Sequence, residues 1–149
     1  MRMTDDELKS FLAEPRIARL ATNGTDGFPH LIATWYVFED GWLYLFSGRA
    51  APRVGEIKRD SKVALLIDDD HFPYKQVTLY GTAEVDESIT DSYLGKICAK
   101  YLGPDGGGKY EADLKGIIDP VMIKVLISKT ISWNYYTGGY RTSVPRKEG

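Results

Sequence analysis

The chain has 149 residues, a length that suits one domain with a sizeable hydrophobic core. Its 19 basic and 21 acidic residues nearly balance, which argues against a nucleic-acid partner and requires any anion site to be local. The only cysteine, Cys98, excludes an intramolecular disulfide, and we expect its thiol to be buried. The sequence shows no signal peptide and no run of about 20 apolar residues, so we expect a soluble, cytoplasmic protein without membrane contact.

The first part of the chain predicts a short helix followed by strands. Thr4 and Glu7 have the spacing of a capping box, and apolar residues then recur on one helical face until Pro15 ends the segment. Residues 17–22 have the composition of a strand, and so do residues 31–39 after a turn. The chain therefore opens with one amphipathic helix and two strands.

A hairpin signal follows the second strand. Asp40-Gly41 is a dipeptide typical of two-residue turns, and residues 42–46 after it form an aromatic and aliphatic run. Three consecutive antiparallel strands are therefore expected. A fourth strand, at residues 63–67, has the same apolar character.

The most informative stretch lies between the third and fourth predicted strands. Ser47 and Gly48 end the third strand with a hydroxyl and with a residue that lets backbone approach a ligand, and a helix is predicted to begin near Ala51. Arg49 and Arg53 flank this helix start, where a cation opposes the helix dipole unless an anion is shared. A helix N-terminus beside two arginines is typical of an anion site, so the pattern predicts a bound phosphate group.

The second half of the chain adds two strands and a helix. Residues 76–85 and 121–131 alternate between apolar and polar side chains, as strands with one wet face do. Residues 89–102 have the apolar spacing of a helix. The sequence GPDGGG at residues 103–108 predicts a mobile surface loop and not a phosphate cradle, because no strand precedes it and no Lys-Ser/Thr pair follows.

Six predicted strands with peripheral helices indicate a mainly β fold, a six-stranded antiparallel barrel instead of a parallel sheet. We expect a single domain over residues 1–149. Within it, residues 136–149 form a basic, polar tail that we expect to be mobile.

Five segments of the chain carry a resemblance to a known family. They are RIARLAT from Arg16, PHLIATWYVFEDGWLYLFSG from Pro29, PRVGEIKRDSKVALLIDDD from Pro52, KQVTLYGTAEV from Lys75 and VMIKVLISKTISW from Val121. In this order they resemble the pyridoxamine-phosphate-oxidase-like family of FMN-binding split barrels. The resemblance implies a six-stranded antiparallel split β-barrel, a homodimer and two flavin sites at the subunit interface.

The resemblance also implies a set of cofactor-binding residues. Arg53 matches the phosphate-binding lysine of the family, and Ser47 with Gly48 matches the Thr-Asn pair that ends its third strand. Gln76 matches a glutamine that faces the flavin ring. The other candidates for contact with the cofactor are Thr34, Trp35, Phe46, Arg49 and Trp133, the last together with Tyr135 or Tyr136 across the interface.

The implied function is that of an FMN-dependent oxidoreductase, which transfers hydride or electrons to a small molecule without a catalytic acid or base from the protein. Arg53 departs from the usual lysine, but it keeps the positive charge and permits bidentate contact with phosphate. The chain ends in YRTSVPRKEG, whereas members that oxidise pyridoxamine phosphate end in an Arg-Leu-His type of segment. We therefore do not expect that substrate, and we do not assign its contacts to Arg141.

Two alternatives use the same pocket. One is the deazaflavin coenzyme F-420, whose acidic tail would meet basic residues such as Lys75 and Lys109. The other is non-enzymatic binding of flavin or haem, with His71 as an axial haem ligand. His30 and His71 are too few for a protein-built metal triad, and the carboxylates at residues 68–70 are expected only to solvate a strand end.

Overall fold

The computed structural model describes residues 2–135 of the chain. Within this range the elements are α1 (Asp5–Ala13), β1 (Ala18–Asn23), β2 (Pro29–Thr34), β3 (Val37–Glu39), β4 (Trp42–Gly48), α2 (Pro52–Arg59), β5 (Lys62–Asp69), β6 (Lys75–Val85), α3 (Thr90–Ile117) and β7 (Pro120–Asn134). Of the helices described, none is both long enough and apolar enough to span a bilayer. The predicted tail at residues 136–149, with Tyr136 and Arg141, lies outside the described residues.

The strands form one antiparallel sheet of seven strands, in the order β2-β1-β5-β6-β7-β4-β3. The prediction of six strands is wrong because residues 31–39 do not form one strand. The chain leaves the sheet after Thr34, and β2 and β3 lie at opposite edges. Only Trp35 and Tyr36 separate these edge strands, and so short a link spans at most about 11 Å. The sheet must therefore curl strongly, although no β2–β3 ladder closes it in the described residues.

The corner between β2 and β3 is held by partners from the two flanking helices. Tyr36 is fully buried, and its hydroxyl donates a hydrogen bond of 3.1 Å to the carbonyl of Leu12 at the end of α1. Its backbone N–H donates to the hydroxyl of Tyr101 at 3.2 Å, and its carbonyl accepts from Nζ of Lys100 at 3.1 Å. These contacts replace the ladder bonds that a continuous strand would have made.

Several local predictions are confirmed. Thr4 caps α1 by accepting a hydrogen bond from the N–H of Glu7 at 3.2 Å. Asp40 and Gly41 have φ values of 50° and 82°, the two positive values that a type I′ hairpin turn requires. Helix α2 begins at Pro52, one residue after the predicted start. The features that short sequence patterns specify are therefore present.

The core lies on the inner face of the sheet, against α1. Its largest buried side chains include Leu12, Leu20, Tyr36, Leu65, Leu79 and Ile123. A second cluster lies under α3 and contains Leu94, Cys98 and Met122. Cys98 is fully buried, as predicted, and this burial raises the pKa of its thiol.

Helix α3 corrects the prediction of a mobile glycine-rich loop at residues 103–108. The chain leaves the helical conformation at Gly103, where φ is 78° and ψ is 171°. Pro104 then begins a second helical stretch, a position where its missing N–H needs no partner. We call residues 90–102 the first arm and residues 104–117 the second arm.

The two arms are antiparallel and packed closely. Nζ of Lys115 lies 3.1 Å from Oδ1 of Asp91, and a Cβ built on Gly107 would lie 2.7 Å from the backbone nitrogen of Ala99. Each contact joins two positions equidistant from Gly103, as in a helical hairpin. Glycine is therefore needed at position 107 for close approach of the arms and not for a loose turn.

We expect Gly107→Ala to lower the free energy of unfolding by about 1–3 kcal/mol, because the added methyl group would overlap backbone of the first arm. Gly108→Ala is the matched control, since a Cβ there meets nothing within 4 Å. It should be neutral or stabilising by up to about 1 kcal/mol, because alanine favours helix. Urea denaturation of the two variants measures both effects. Equal stabilities would contradict the close packing of the arms.

Candidate functional site

A cavity of about 470 Å³ lies between the β2–β3 corner and the turn that joins β4 to α2. This volume falls within the range of about 300–1,000 Å³ that is usual for small-molecule pockets. Six of the nine residues predicted to bind the cofactor line it: Thr34, Trp35, Phe46, Ser47, Gly48 and Arg53. Ile118 and Tyr110, at the end and within the second arm of α3, also contribute to the lining. We call the part of the lining formed by Ser47, Gly48 and Arg53 the polar end, and the part formed by Trp35, Phe46 and Tyr110 the aromatic end.

Arg53 supplies the charge at the polar end. Its guanidinium donates a hydrogen bond of 2.8 Å to Oγ of Ser47. Burial lowers the pKa of Arg53, while the negative charge of Glu56 opposes this shift. Within residues 2–135 no carboxylate is close enough to form an ion pair with this guanidinium. A half-buried cation with only a hydroxyl partner favours an anionic ligand.

The start of α2 adds a backbone donor beside the guanidinium of Arg53. Ala51, the N-cap residue, has no side chain that could accept a hydrogen bond from the first turn, and Pro52 follows it. The first turn also contains no acidic residue. Pro52 has no N–H, and the N–H of Val54 donates to the carbonyl of Ala51 at 3.1 Å. Among the first three residues of α2, only the backbone N–H of Arg53 can therefore meet an anion together with its guanidinium.

Three other predicted residues do not line the cavity. Arg49 directs its guanidinium to carboxylates instead: it forms ion pairs with Glu87 and, at 2.8 Å, with Asp119. Gln76 and Trp133 are cross-strand partners on β6 and β7. Both lie on the face of the sheet that points away from the core.

That outer face carries several exposed apolar side chains among polar and charged ones. Leu66 on β5 lies between Arg19 on β1 and Thr78 on β6, and Thr78 neighbours Ile131 on β7, so these four side chains form one row. The next row along the strands contains Asp68, Gln76 and Trp133. The exposed fractions of Leu66, Ile131 and Trp133 are 38%, 46% and 40%. Exposed large apolar side chains that lie close together are common on interaction surfaces.

The family of the chain can now be stated. A family model described as pyridoxamine 5′-phosphate oxidase matches residues 4–134. The chain belongs to the pyridoxamine 5′-phosphate oxidase-like family. The resemblance inferred from the five sequence segments is therefore confirmed, and with it the flavin-binding character of the family. No curated protein matches the sequence significantly.

Solved structures with a similar fold include proteins whose names refer to different cofactors. Protein Rv2991 of Mycobacterium tuberculosis is 25% identical, with a TM-score of 0.75 over 99% of this chain and 95% of that one. A protein named F420 reductase is 23% identical, with a TM-score of 0.66 over 83% and 94%. The haem storage protein HutZ of Vibrio cholerae is 16% identical, with a TM-score of 0.66 over 90% and 95%. At these identities the last two show the fold alone.

The histidine predicted as a haem ligand lies elsewhere. His71 is exposed on the loop between β5 and β6, and it does not line the cavity. With Asp69 and Asp70 it forms a group whose ligand atoms all lie within 4.8 Å. Asp69 already accepts a hydrogen bond from the N–H of His71 and lies 3.6 Å from Arg16, which lowers its pKa. These carboxylates therefore stabilise the loop, in line with the prediction that they solvate a strand end.

Sequence reasoning missed the contribution of α3 to the cavity. The ring of Trp35 stacks on Tyr101 of the first arm, with centroids 4.7 Å apart and planes 4° apart. Tyr110 of the second arm contacts the same Trp35 ring at 5.4 Å and 52°. The Gly103-Pro104 pair between these tyrosines is a signal for a helix that ends and restarts, and it could have indicated that both arms reach one place.

The helix that carries Arg53 is anchored one turn later by Glu56. This carboxylate accepts a hydrogen bond of 2.6 Å from Thr22 and lies 2.5 Å from Nδ1 of His30. Nε2 of His30 lies 3.1 Å from Asp26. The hydrogen bonds with Asp26 and Glu56 raise the pKa of His30 above its ordinary value of 6.5. The imidazolium form therefore links the β1–β2 turn to α2.

The stabilising effect of His30 should depend on pH. Because its pKa is raised in the folded state, its contribution is fully present below pH 6.5 and is lost as the pH rises through the folded-state value. We expect the difference in urea midpoint between the unchanged protein and His30→Gln to be largest at pH 6 and to shrink by pH 9. His71→Gln, at a 90% exposed side chain, is the control and should change the midpoint little. A His30→Gln difference that is constant with pH would refute this assignment.

Proposed function

We propose that the chain binds FMN in the cavity beside Arg53 and acts as an oxidoreductase that transfers hydride or electrons to a small molecule. The observation that supports this most is the half-buried guanidinium of Arg53, which has a hydroxyl but no carboxylate partner among the described residues. It lies at a helix start and at one end of a cavity whose other end is aromatic. A ligand with a doubly charged phosphate and a flat ring matches both ends.

Each part of the lining has a definite role in this proposal. The guanidinium and the backbone N–H of Arg53, with the hydroxyl of Ser47, would bind the phosphate. Thr34 and Trp35 would orient the ring, and apolar side chains such as Phe46 would exclude water. Bound FMN supplies the hydride chemistry. Among residues 2–135, those that line the cavity include no carboxylate, histidine or lysine, so a catalytic acid or base is not part of the proposal.

The proposed active form is a homodimer with two cofactor sites at its interface. Gln76 and Trp133 point away from the core, so they cannot contact a ligand in the cavity of their own copy. The exposed apolar side chains around them suit a second copy, which would bring Gln76 and Trp133 against that copy's bound ring. This arrangement accounts for all the predicted cofactor contacts except Arg49.

The deazaflavin coenzyme F-420 is the alternative cofactor. It shares the phosphate and the flat ring system, so the same two ends of the cavity would serve it. Lys109 adjoins Tyr110 in the second arm and could meet an acidic tail. We do not carry haem forward, because neither His30 nor His71 lines the cavity. Titration of the purified protein with FMN and with F-420, followed by fluorescence quenching, tests both cofactors. Failure to bind either would refute the proposal.

We expect Arg53→Ala to weaken FMN binding by about tenfold or more, since a charge-assisted hydrogen bond contributes about 1.5–3 kcal/mol. Arg49→Ala is the matched control, because its guanidinium is already paired with Glu87 and Asp119. It should change the dissociation constant less than twofold. Fluorescence titration at constant salt measures both. Equal loss in the two variants would show that charge near the turn matters and not the Arg53 contact.

We expect Leu66→Asp to convert the proposed dimer to a monomer, because it replaces an exposed apolar side chain of the outer face by a charge that would have to be buried in the interface. Leu102→Asp on the first arm is the control, since Leu102 is 45% exposed but lies on α3 and not on the sheet. Light scattering after gel filtration gives the masses. An unchanged protein with the mass of one chain would rule out the proposed dimer.

A further inference from the structure

Three rings on two different elements pack together at the aromatic end of the cavity. Trp35, in the β2–β3 corner, is the middle ring. Tyr101 covers it from the first arm of α3 and Tyr110 touches it from the second arm. The two tyrosines are brought to one tryptophan because the arms are antiparallel and Gly107 allows them to pack closely. The position of Tyr110 is therefore set by the hairpin as a whole.

Contacts within the protein hold Trp35 and Tyr101 in place. The hydroxyl of Tyr101 donates a hydrogen bond of 2.6 Å to the carbonyl of Arg16 and accepts one of 3.2 Å from the N–H of Tyr36. Burial raises the pKa of Tyr101 to about 12, so the hydroxyl keeps its proton and this donor bond at ordinary pH. Tyr101 therefore holds the Trp35 ring from one side by stacking on it.

Tyr110 differs from both of its partners. Its hydroxyl makes no hydrogen bond to any other residue in the described part of the chain, and its side chain is 38% exposed. Unlike Tyr101, it lines the cavity. A half-exposed aromatic ring in a pocket wall, with an uncommitted hydroxyl, can contact a flat ligand without giving up an internal bond.

We propose that Tyr110 contacts the ring of the bound flavin, while Arg53 at the polar end recognises only the phosphate. This inference rests on the proposed function. It assigns ring recognition to the second arm of α3, whose first residues, 104–108, were predicted to form a loop. The two ends of the cavity then act on separate parts of the ligand and contribute independently to its affinity.

Riboflavin and FMN separate the two contributions, because riboflavin has the same ring but no phosphate. We expect Tyr110→Ala to weaken binding of FMN and of riboflavin by the same factor, about five- to tenfold, from loss of one aromatic contact. Tyr110→Phe keeps the ring and should stay within about twofold of the unchanged protein for both ligands. Arg53→Ala should weaken FMN only. Ile117→Ala, on the same arm but 77% exposed and outside the cavity lining, is the control and should change neither affinity.

Fluorescence titrations of the folded variants, checked by their urea midpoints, decide the outcome. Unchanged affinities in Tyr110→Ala, or a loss confined to FMN, would overturn the role of Tyr110 while leaving the flavin proposal intact. A loss in Tyr110→Phe as large as in Tyr110→Ala would also overturn ring contact, since the ring is kept. If the unchanged protein bound neither FMN nor riboflavin, the proposed function would fail and this inference with it.

Discussion

The two-residue link between β2 and β3 is the constraint on which the rest of the structure depends. It joins the opposite edges of a seven-stranded sheet, so the sheet has to curl until those edges are about 11 Å apart or less. Lys100 secures the link from behind: its Nζ donates to the carbonyls of Leu12 and Tyr36 at 2.9 and 3.1 Å and lies 3.8 Å from the centre of the Tyr36 ring. Burial at this corner lowers the pKa of Lys100 to about 8. Trp35 faces the cavity only because its neighbour Tyr36 is held in this way.

Lys100 and Arg53 both lie beside this corner, and their hydrogen-bond partners differ. Neither Lys100 nor Arg53 has an ion-pair partner among residues 2–135. Lys100 places its three donors against two carbonyls and an aromatic ring, which leaves little capacity for a further ligand. The guanidinium of Arg53 carries five N–H donors and uses one on Ser47. The hydrogen-bonding capacity of this region is thus concentrated at Arg53, on the cavity side.

How much of the structure could be predicted from the sequence depends on how far apart along the chain the interacting residues are. The capping box at Thr4, the Asp40-Gly41 turn and the start of α2 depend on residues within one turn of each other, and all were predictable. So was the polar end of the cavity, since Ser47 and Arg53 are six positions apart. The break after Thr34 was not, because the partners that hold Tyr36 are Leu12 and Tyr101, which are 24 and 65 positions away. The hairpin in α3 was missed for a different reason: three glycines in succession favour a loop locally, and the packing partner that explains Gly107 is Ala99 in the other arm, across the turn at Gly103.

The register of the sheet supports the proposal that two copies of the chain share the cofactor site. Thr34 pairs with Ala18, which is buried, so Thr34 is on the inner face, whereas Gln76 alternates with the buried Val77 and is on the outer face. Three strand spacings also separate β2 from β6, about 14 Å at the usual distance between strands. In the proposed dimer, a ligand in the cavity would therefore meet Gln76 of the other copy. In a two-fold dimer, the outer face of each copy would contact the cavity of the other copy. Cofactor binding and subunit association would then strengthen each other.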